Sequence, residues 1–293
     1  MHPSPQVLAI CVNWNGGDLL RETLAALAKS DYPSLRMLVV DSASSDHSAD
    51  HLPPEVHLLR LTENLGYAAA LNRALRYAEK ELADSSPYLL FLNNDIRLLP
   101  NCVTRLVAVA ERSKPCVCGP RILQWNLPDR LEASWGEIGW HHVLARFRHK
   151  NAPDNLSDKA PMAVELLLGC ALLMHREVVA RVGLWDENFF LYHEEVDYLF
   201  RAARGGFSTY FVPAAGAYHW GGWGTPDPLR KVFWIRRNTV YFLRKHRASP
   251  GQWFVFCSSL LASLAWNLAT LHWHRNLTIC KGVWSGFRMG VTL

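Results

Sequence analysis

The sequence of 293 residues lacks several features that would place it in a specialised class. Its seven cysteines have no metal-binding spacing, because Cys116 and Cys118 are too close together for a CxxC pair. Scattered cysteines in an odd number predict reduced, mostly packed thiols in a cytosolic compartment. The N-terminus has no charged segment followed by an apolar run, so no signal peptide is expected. An apolar share of 49% excludes a disordered chain and predicts a sizeable core.

Acidic residues are absent from the last part of the chain. None of the 26 Asp and Glu follows Asp227, whereas ten of the 31 Lys and Arg do. Residues 1–227 therefore combine 21 basic with 26 acidic residues, and residues 228–293 have a formal net charge of +10. We divide the chain here into a domain of residues 1–227 and a basic helical region of residues 228–293. The excess of basic residues predicts an anionic partner for the second region.

Apolar runs and helical periodicities alternate through the first half of the chain. Strands are predicted at Val7–Val12, Leu35–Val40, Val56–Leu61 and Leu89–Leu92, with helices over Leu20–Leu27, Leu71–Leu82 and Val103–Ala110 between and after them. This alternation is typical of an α/β fold whose mainly parallel sheet carries helices on both faces.

Polar side chains stand where three of these strands end. Asn13 follows the first strand, Asp41 the second, and Asn93-Asn94-Asp95 the last. Because parallel strands end at one edge of a sheet, these residues predict a ligand cleft there. Carboxylate and amide oxygens are also the ligands that Mg²⁺ or Mn²⁺ prefers.

The second half of the chain is less regular. Residues 125–160 have the character of a loop-rich insertion near an acceptor. The remaining predicted elements are a strand pair or bent strand around Gly169, helices over Arg176–Val182 and His193–Arg204, a strand at Ser208–Val212 ended by Pro213, and a flexible segment over 218–224.

Taken in order, these motifs resemble those of the inverting family-2 glycosyltransferases, and in particular bacterial rhamnosyltransferases of cell-surface polysaccharide synthesis. The resemblance runs from about residue 7 to the C-terminus and rests on Asn13, Asp41-Ser-Ala-Ser-Ser-Asp46, Asn64-x-Gly66 with Asn72, Asn93-Asn94-Asp95, Gly169-Cys170-Ala171, Phe190-x-Tyr192-x-Glu194-Glu195-x-Asp197 with Arg201, and His219. It implies a fold of the GT-A type, in which a Rossmann-like nucleotide half is fused to an acceptor half.

The resemblance also implies roles for individual residues. Asp95 would hold a divalent metal, Mg²⁺ or Mn²⁺, against the donor diphosphate, and His219 would complete its coordination. The alternative for His219 is a place in an aromatic cluster with Tyr218 and Trp220. The donor would be bound by Asn13, Asp41, Asn64, Gly66, Asn72, Asn93 and Asn94. Because Asn93 replaces the first acid of the usual Asp-x-Asp motif, a weaker, exchangeable metal is expected.

A sugar acceptor needs a general base, and three carboxylates start a predicted helix near the cleft. In the family the second carboxylate of the pair is the base, which falls on Glu195, with Glu194 and Asp197 as alternatives. Relatives usually carry Asp there, so the longer Glu195 implies a backbone set further back or a role passed to a neighbour. The structural alternative is that these acids only complement the helix dipole.

The C-terminal region predicts a membrane location. Residues 248–271 are uncharged, with Trp253 near their start and Trp273 just after their end, and three basic clusters precede them. We expect an in-plane or re-entrant anchor on the cytoplasmic leaflet that brings the cleft to a lipid-linked acceptor. The alternative is a helical hairpin packed on the catalytic domain.

The predicted function is therefore transfer of a sugar from a nucleotide donor to a glycan or lipid-linked acceptor at an anionic membrane surface. The resemblance makes dTDP-rhamnose the first donor to consider, and no nucleic-acid partner is expected. A nucleotidyltransferase is disfavoured because Asn13-Trp14-Asn15-Gly16-Gly17, followed by the acidic Asp18, replaces a basic phosphate loop. A non-catalytic sugar-nucleotide binder or scaffold is disfavoured because Asp95, Glu195 and His219 occur together.

Overall fold

A computed structural model describes residues 4–221 and 227–291 of the chain. The helices are α1 Gly17–Ala28, α2 Tyr67–Glu81, α3 Cys102–Ser113, α4 Arg176–Val182, α5 Glu194–Arg204, α6 Pro228–Lys245, α7 Pro250–Ala269 and α8 Trp273–Arg288. The strands are β1 Val7–Asn13, β2 Leu35–Asp41, β3 Val56–Arg60, β4 Tyr88–Asn93, β5 Ile96–Leu98, β6 Cys116–Gln124, β7 Leu131–Ala133, β8 Trp135–Ile138, β9 Ala145–Phe147, β10 Met162–Ala163, β11 Leu166–Leu167, β12 Ala171–His175 and β13 Ser208–His219.

The main sheet confirms the predicted α/β fold. Its strand order is β10-β13-β6-β12-β4-β1-β2-β3, with β5 and β7 paired to β13 and β6. β1 lies parallel to both β2 and β4, and β2 lies parallel to β3. β12 enters antiparallel between β4 and β6, which joins the nucleotide-type half to the second half. A smaller sheet has the order β11-β8-β9.

The sheet separates two apolar cores. Along β1, Leu8 and Ile10 belong to one core, whereas Val7 and Ala9 belong to the other. Alternate side chains of a strand point to opposite faces, so a strand buried on both faces must be apolar throughout. This is why the uninterrupted run of β1 predicts its central position.

Two predictions for the second half need correction. β13 does not end at Pro213 but continues to His219, with a register shift against β6 between Val212 and Gly216. Proline is tolerated in a strand at such an irregularity, because the ladder is interrupted there. Tyr218 and His219 are therefore strand residues, and residues 222–224 of the predicted flexible segment lie outside the described part. The insertion over 125–160 includes strands β7, β8 and β9.

Helix α6 packs into the core of the preceding residues, although it lies beyond the predicted boundary at residue 227. Its Tyr241 and Phe242 are fully buried in the larger core together with residues of β1 and β4. α8 runs alongside α6 at very short range. A Cβ atom added to Gly282 would lie 2.7 Å from the carbonyl oxygen of Phe233, and one added to Gly286 would lie 2.5 Å from that of Arg237. Glycine at these two positions lets the helices touch.

The basic residues of α6 are mostly not available to a membrane, contrary to the prediction. Arg236 is buried and donates to the carbonyl oxygen of His142. Arg244 donates to the carbonyl oxygens of Gly286 and Met289 at 2.8 Å each. These cations are compensated by groups that are distant in the sequence, so the lack of nearby acids was misleading.

Candidate active site

The predicted convergence of polar strand ends is confirmed by the strand register. Asn13 lies beside Asp41, and the preceding residue of β1 lies beside Asn93. The Asn13 amide donates to Asp41 Oδ1 at 2.8 Å and to Ser48 Oγ at 2.9 Å, and its oxygen accepts from Asn94 Nδ2 at 2.8 Å. All the polar atoms of Asn13 are used, so this residue fixes the loops of the cleft.

A pocket of about 460 Å³ opens beside this network. Its wall includes the predicted residues Asn64, Gly66, Asn93, Asn94, Asp95, Glu194, Glu195 and His219. Asn13 and Asp41 are buried next to it but do not line it, whereas Ser42 does. Nearly all the predicted site residues therefore lie in one cavity or directly behind its wall.

Asp95 and His219 come together because β5 begins immediately after Asp95 and pairs with the end of β13. Ile96 lies opposite His219 in this antiparallel pair. His219 Nε2 lies 3.2 Å from Asp95 Oδ1, and His219 Nδ1 lies 2.7 Å from Glu132 Oε2. Burial alone would lower the pKa of His219, but its hydrogen bonds to Asp95 and Glu132 raise that pKa to about 10. The ring is thus held between two carboxylates.

This arrangement fits a divalent metal that displaces the proton on His219 Nε2, because only a neutral imidazole nitrogen binds a metal. Asp95 and His219 offer a carboxylate oxygen and an imidazole nitrogen that face each other, and Glu132 on β7 holds the other ring nitrogen as an outer carboxylate does in metal–histidine sites. Over residues 4–221 and 227–291, no three His, Cys, Asp or Glu side chains converge on one point. Two protein ligands suit Mg²⁺ or Mn²⁺ when substrate phosphates and water supply the others.

The pair Glu194 and Glu195 starts helix α5 after an unusual turn. Tyr192 and His193 both have left-handed backbones, with φ of 68° and 69°. Glu195 passes close to Gly169, where an added Cβ would lie 3.1 Å from Glu195 Cβ. Glycine at position 169 therefore leaves room for this side chain at the pocket wall.

The two glutamates differ in their surroundings. Burial raises the pKa of Glu195 to about 7. Burial and the neighbouring Glu195 raise the pKa of Glu194 well above its usual value, and Glu194 Oε2 has no hydrogen-bond partner. A carboxyl with a pKa near neutrality is suited to general base catalysis. Glu195 is therefore the better candidate of the pair.

Asp197 is a structural anchor and not a base. Its side chain is fully buried and accepts from Arg201 Nε at 2.8 Å, Lys245 Nζ at 2.7 Å and His246 Nε2 at 2.8 Å. Burial alone would raise its pKa, but the His246 bond and the charges of Arg201 and Lys245 lower it to about 2. Such a carboxylate is a very weak base, and it does not line the pocket.

Two of the predicted donor-binding residues have structural contacts. Gly66 directly precedes α2 with φ of 87°, and an added Cβ would lie 2.4 Å from the carbonyl oxygen of Phe190. Asn72 is buried away from the pocket, where it donates to the carbonyl oxygen of Trp185 at 2.8 Å and accepts from Trp185 N at 3.0 Å. We therefore assign Asn72 to the loop before α5, not to the donor.

Sequence reasoning missed several residues of the pocket. Glu132 belongs to the insertion, and nothing in its local sequence distinguishes it from a surface acid. Arg230 and Lys231 of α6 line the pocket and form no ion pair with any described residue, and Lys231 Nζ lies 5.4 Å from the centre of the Tyr192 ring. Their basic character was recognised, but it was attributed to a membrane.

Known proteins with this sequence pattern and fold are sugar transferases. The family model described as glycosyl transferase family 2 matches residues 9–168, and the chain belongs to this family. It is 27% identical over 280 residues to an N-acetylglucosaminyl-diphospho-decaprenol L-rhamnosyltransferase of Mycobacterium tuberculosis, covering 87% of this chain and 90% of that protein. It is 19% identical over 218 residues to the dTDP-rhamnosyl transferase RfbF of Shigella flexneri, covering 73% and 68%.

Two solved structures share the fold. The structure of GalNAc-T7 with UDP, GalNAc and Mn²⁺ has a TM-score of 0.65 and 18% identity, covering 82% of this chain and 48% of that one. The mannosyltransferase PcManGT of Pyrobaculum calidifontis, in complex with GDP-Man and Mn²⁺, has a TM-score of 0.58 and 16% identity, covering 97% and 87%. The chain is a nucleotide-sugar-dependent glycosyltransferase of the GT-A fold, which disfavours the non-catalytic alternative.

Proposed function

We propose that this glycosyltransferase moves a sugar, with rhamnose as the first candidate, from a nucleoside diphosphate donor to a hydroxyl of a glycan or lipid-linked acceptor with inversion. The observation that carries the proposal is the shared pocket of the Asp95–His219 pair and Glu195. Two relatives that cover most of the chain are named as rhamnosyltransferases, which supports the choice of sugar.

In the proposed reaction, Glu195 takes the proton of the acceptor hydroxyl as the oxygen attacks the anomeric carbon. The bond from that carbon to the diphosphate oxygen breaks, and the nucleoside diphosphate leaves with the electron pair. Asp95 and His219 would hold Mg²⁺ or Mn²⁺, which stabilises the negative charge that grows on the leaving oxygen. Arg230 and Lys231 place positive charge at the same pocket, where donor or acceptor phosphates would meet it.

The metal and the donor are tested together by binding. We expect the melting temperature to rise with the correct sugar nucleotide, and to rise further when Mn²⁺ is present, because a ligand of the folded state stabilises it. Asp95→Ala should abolish the part of this rise in melting temperature that depends on Mn²⁺, and it should lower turnover by orders of magnitude. Full transfer in excess EDTA would contradict the metal assignment.

The base is tested by Glu195→Gln, which keeps the shape of the side chain. Transfer should fall by about two to four decades, the usual contribution of a general base, while donor binding is retained. In the unmodified enzyme the rate should rise with pH through about 7, as Glu195 loses its proton. If Glu195→Gln is active and Glu194→Gln is not, the base is the other glutamate.

We further propose a peripheral location on the inner face of the cell membrane, based on α7 and α8. Within the described part of the chain, α7 is the one helix whose length and composition suit a membrane span, with a mean hydropathy of 1.2 and 11% of it buried. Large apolar residues on both helices and in the turn between them face outward: Phe254, Leu261, Trp266, Leu268, Leu271, Trp273, Leu277, Trp284 and Phe287. An apolar surface of this kind suits a bilayer interface, where Trp side chains are favoured.

A further inference from the structure

The turn that carries the two glutamates into the pocket is conformationally unfavourable. Tyr192 and His193 are not glycines, yet both have the left-handed backbone, with φ of 68° and 69°. A non-glycine residue in this backbone conformation is strained and persists only where its surroundings hold it. Glu194 and Glu195 follow directly, so the position of Glu195 depends on whatever holds this turn.

Helix α6 supplies the contact that holds the turn at Tyr192 and His193. Asn238 is fully buried, and its amide nitrogen donates to the carbonyl oxygens of Leu191 at 2.8 Å and Tyr192 at 2.6 Å. The Asn238 oxygen accepts from Arg237 Nη1 at 2.7 Å, so neither end of the amide is free to rotate away. Next to it, Thr239 Oγ1 lies 3.2 Å from His193 Nε2. One side chain thus binds two successive carbonyl groups of the turn.

We propose that Asn238 is a positioning residue for the general base: it fixes the turn at Leu191 and Tyr192 so that Glu195 reaches the acceptor side of the pocket. This inference rests on the proposed role of Glu195. Asn238 does not line the pocket, and its side-chain hydrogen bonds are with Leu191, Tyr192 and Arg237. It therefore acts on the base and not on the substrate.

The amide of Asn238 cannot be replaced by a carboxylate without loss. An amide nitrogen has two N–H groups for two carbonyl oxygens, whereas an ionised carboxylate only accepts. Asn238→Asp would place negative charge against both carbonyl oxygens and would release the turn. A misplacement of about 1 Å at a catalytic group lowers the rate by about a hundredfold.

The test measures kcat, the donor KM and donor binding for Asn238→Asp in the full chain. We expect kcat to fall by about a hundredfold, with donor affinity unchanged, and the rise of the rate near pH 7 to be displaced. Asn238→Ser keeps one hydrogen-bond donor and adds no charge, so its kcat should fall less than that of Asn238→Asp. The control is Asn267→Asp, because Asn267 is also a buried amide in the C-terminal helices and donates to Asn276 Oδ1 at 2.8 Å. It should keep kcat.

A double-mutant cycle with Glu195→Gln separates the two assignments. If Asn238 acts through the base, Asn238→Asp should add little loss in the Glu195→Gln background. An active Glu195→Gln enzyme would overturn the base itself and with it this role. An inactive Glu195→Gln beside a folded, fully active Asn238→Asp, or equal losses in both backgrounds, would overturn only the role of Asn238. A lower melting temperature for both Asn238 variants with unchanged kcat would also overturn it.

Discussion

Helix α6 and the hairpin of α7 and α8 adjoin in sequence, but they differ in which side chains they bury. α6 buries basic side chains, whereas the hairpin exposes apolar ones. α6 turns most of its basic side chains inward, where Lys245 pairs with Asp186 and Asp197 at 2.7 Å each. The hairpin turns apolar side chains outward, and Leu271 is 84% exposed and Trp266 70% exposed. A basic, apolar stretch therefore contains two different structures: one completes the catalytic unit, and the other presents a surface that suits a bilayer.

The contrast shows that composition identified the region but not the use of each residue. Ten basic and no acidic residues follow Asp227, which indicated an external anionic partner. Within the fold, Lys245 of α6 pairs with Asp197 of α5 and Asp186 of the preceding loop, and Arg236 and Arg244 donate to carbonyl oxygens. A truncation before α6 would therefore remove Asn238 and two of the partners of Asp197, Lys245 and His246, so the membrane hypothesis has to be tested by substitutions on the hairpin surface.

The largest stability difference between the two regions is expected from Asp197→Ala. This change leaves Arg201 and His246 without their buried carboxylate and leaves Lys245 paired with Asp186 alone, and breaking such a buried pair costs about 3–5 kcal/mol of unfolding free energy. Leu261→Ser on α7 is the control, and it should change stability by no more than about 0.5 kcal/mol, because Leu261 is exposed. Urea denaturation measures both. Equal effects would mean that α6 is no better integrated than the hairpin.

The next effect concerns binding to vesicles. In the triple variant Trp273→Ser, Leu277→Ser and Trp284→Ser, partition to anionic liposomes should fall by about a hundredfold or more, because a buried large apolar side chain contributes roughly 1.5–3 kcal/mol. Transfer to a short soluble acceptor should be unchanged. Cys257 and Cys280 are exposed on the hairpin while the other five cysteines are buried, so liposomes should slow their labelling by a thiol reagent. Unchanged labelling would contradict membrane contact.

A smaller effect is expected on the pH dependence of stability. The pKa of Asp197 is lowered from 3.8 to about 2 in the folded protein, so its contribution is present above pH 4 and is lost as the pH falls toward 2. Linkage makes this loss about 2 kcal/mol. Because Lys245 at the end of α6 is one of these partners, Lys245→Met should reduce the loss of stability at low pH, whereas the hairpin triple variant should not. Urea midpoints between pH 2 and 5 give the comparison.

The smallest effect is expected from the basic residues that remain exposed on α8. Arg275→Ala and Lys281→Ala should each weaken liposome binding by about fivefold at low salt, since a basic residue near an anionic surface contributes about 1 kcal/mol. The difference should vanish at high ionic strength. If these substitutions weaken liposome binding more than the triple apolar variant does, the hairpin binds by charge and the comparison with α6 fails.

Local pattern was sufficient for the nucleotide-type half of the fold. The apolar runs that end in Asn13, Asp41 and Asn93 are short, are interrupted only by Arg36 and are separated by amphipathic helices, and the structure places their ends side by side. Such strands can be predicted from the sequence because a strand that is buried on both faces is apolar along most of its length. The end of β13 could not be found in this way. Pro213 predicts the end of a strand, and the sequence does not show the register shift between Val212 and Gly216 that allows the strand to continue.

The site was only partly predictable for the same reason. Asp95, Glu195 and His219 were found through an ordered set of motifs, but Glu132 is 87 residues from His219 in sequence and carries no local signal. Asp197 was taken as a possible base because its partners Lys245 and His246 are almost fifty residues away. Pairing across such distances is decided by the tertiary fold and is not written in the neighbouring residues.

The close approach of α8 to α6 at Gly282 and Gly286 has a consequence for orientation. Backbone-to-backbone contact leaves no flexible spacer between the hairpin and the helix that carries Asn238. A bilayer bound by the hairpin would therefore set both the height and the tilt of the sugar-transfer pocket above the lipid headgroups. The packing of α8 on α6 would then fix the distance between the membrane and the acceptor hydroxyl that the enzyme can use.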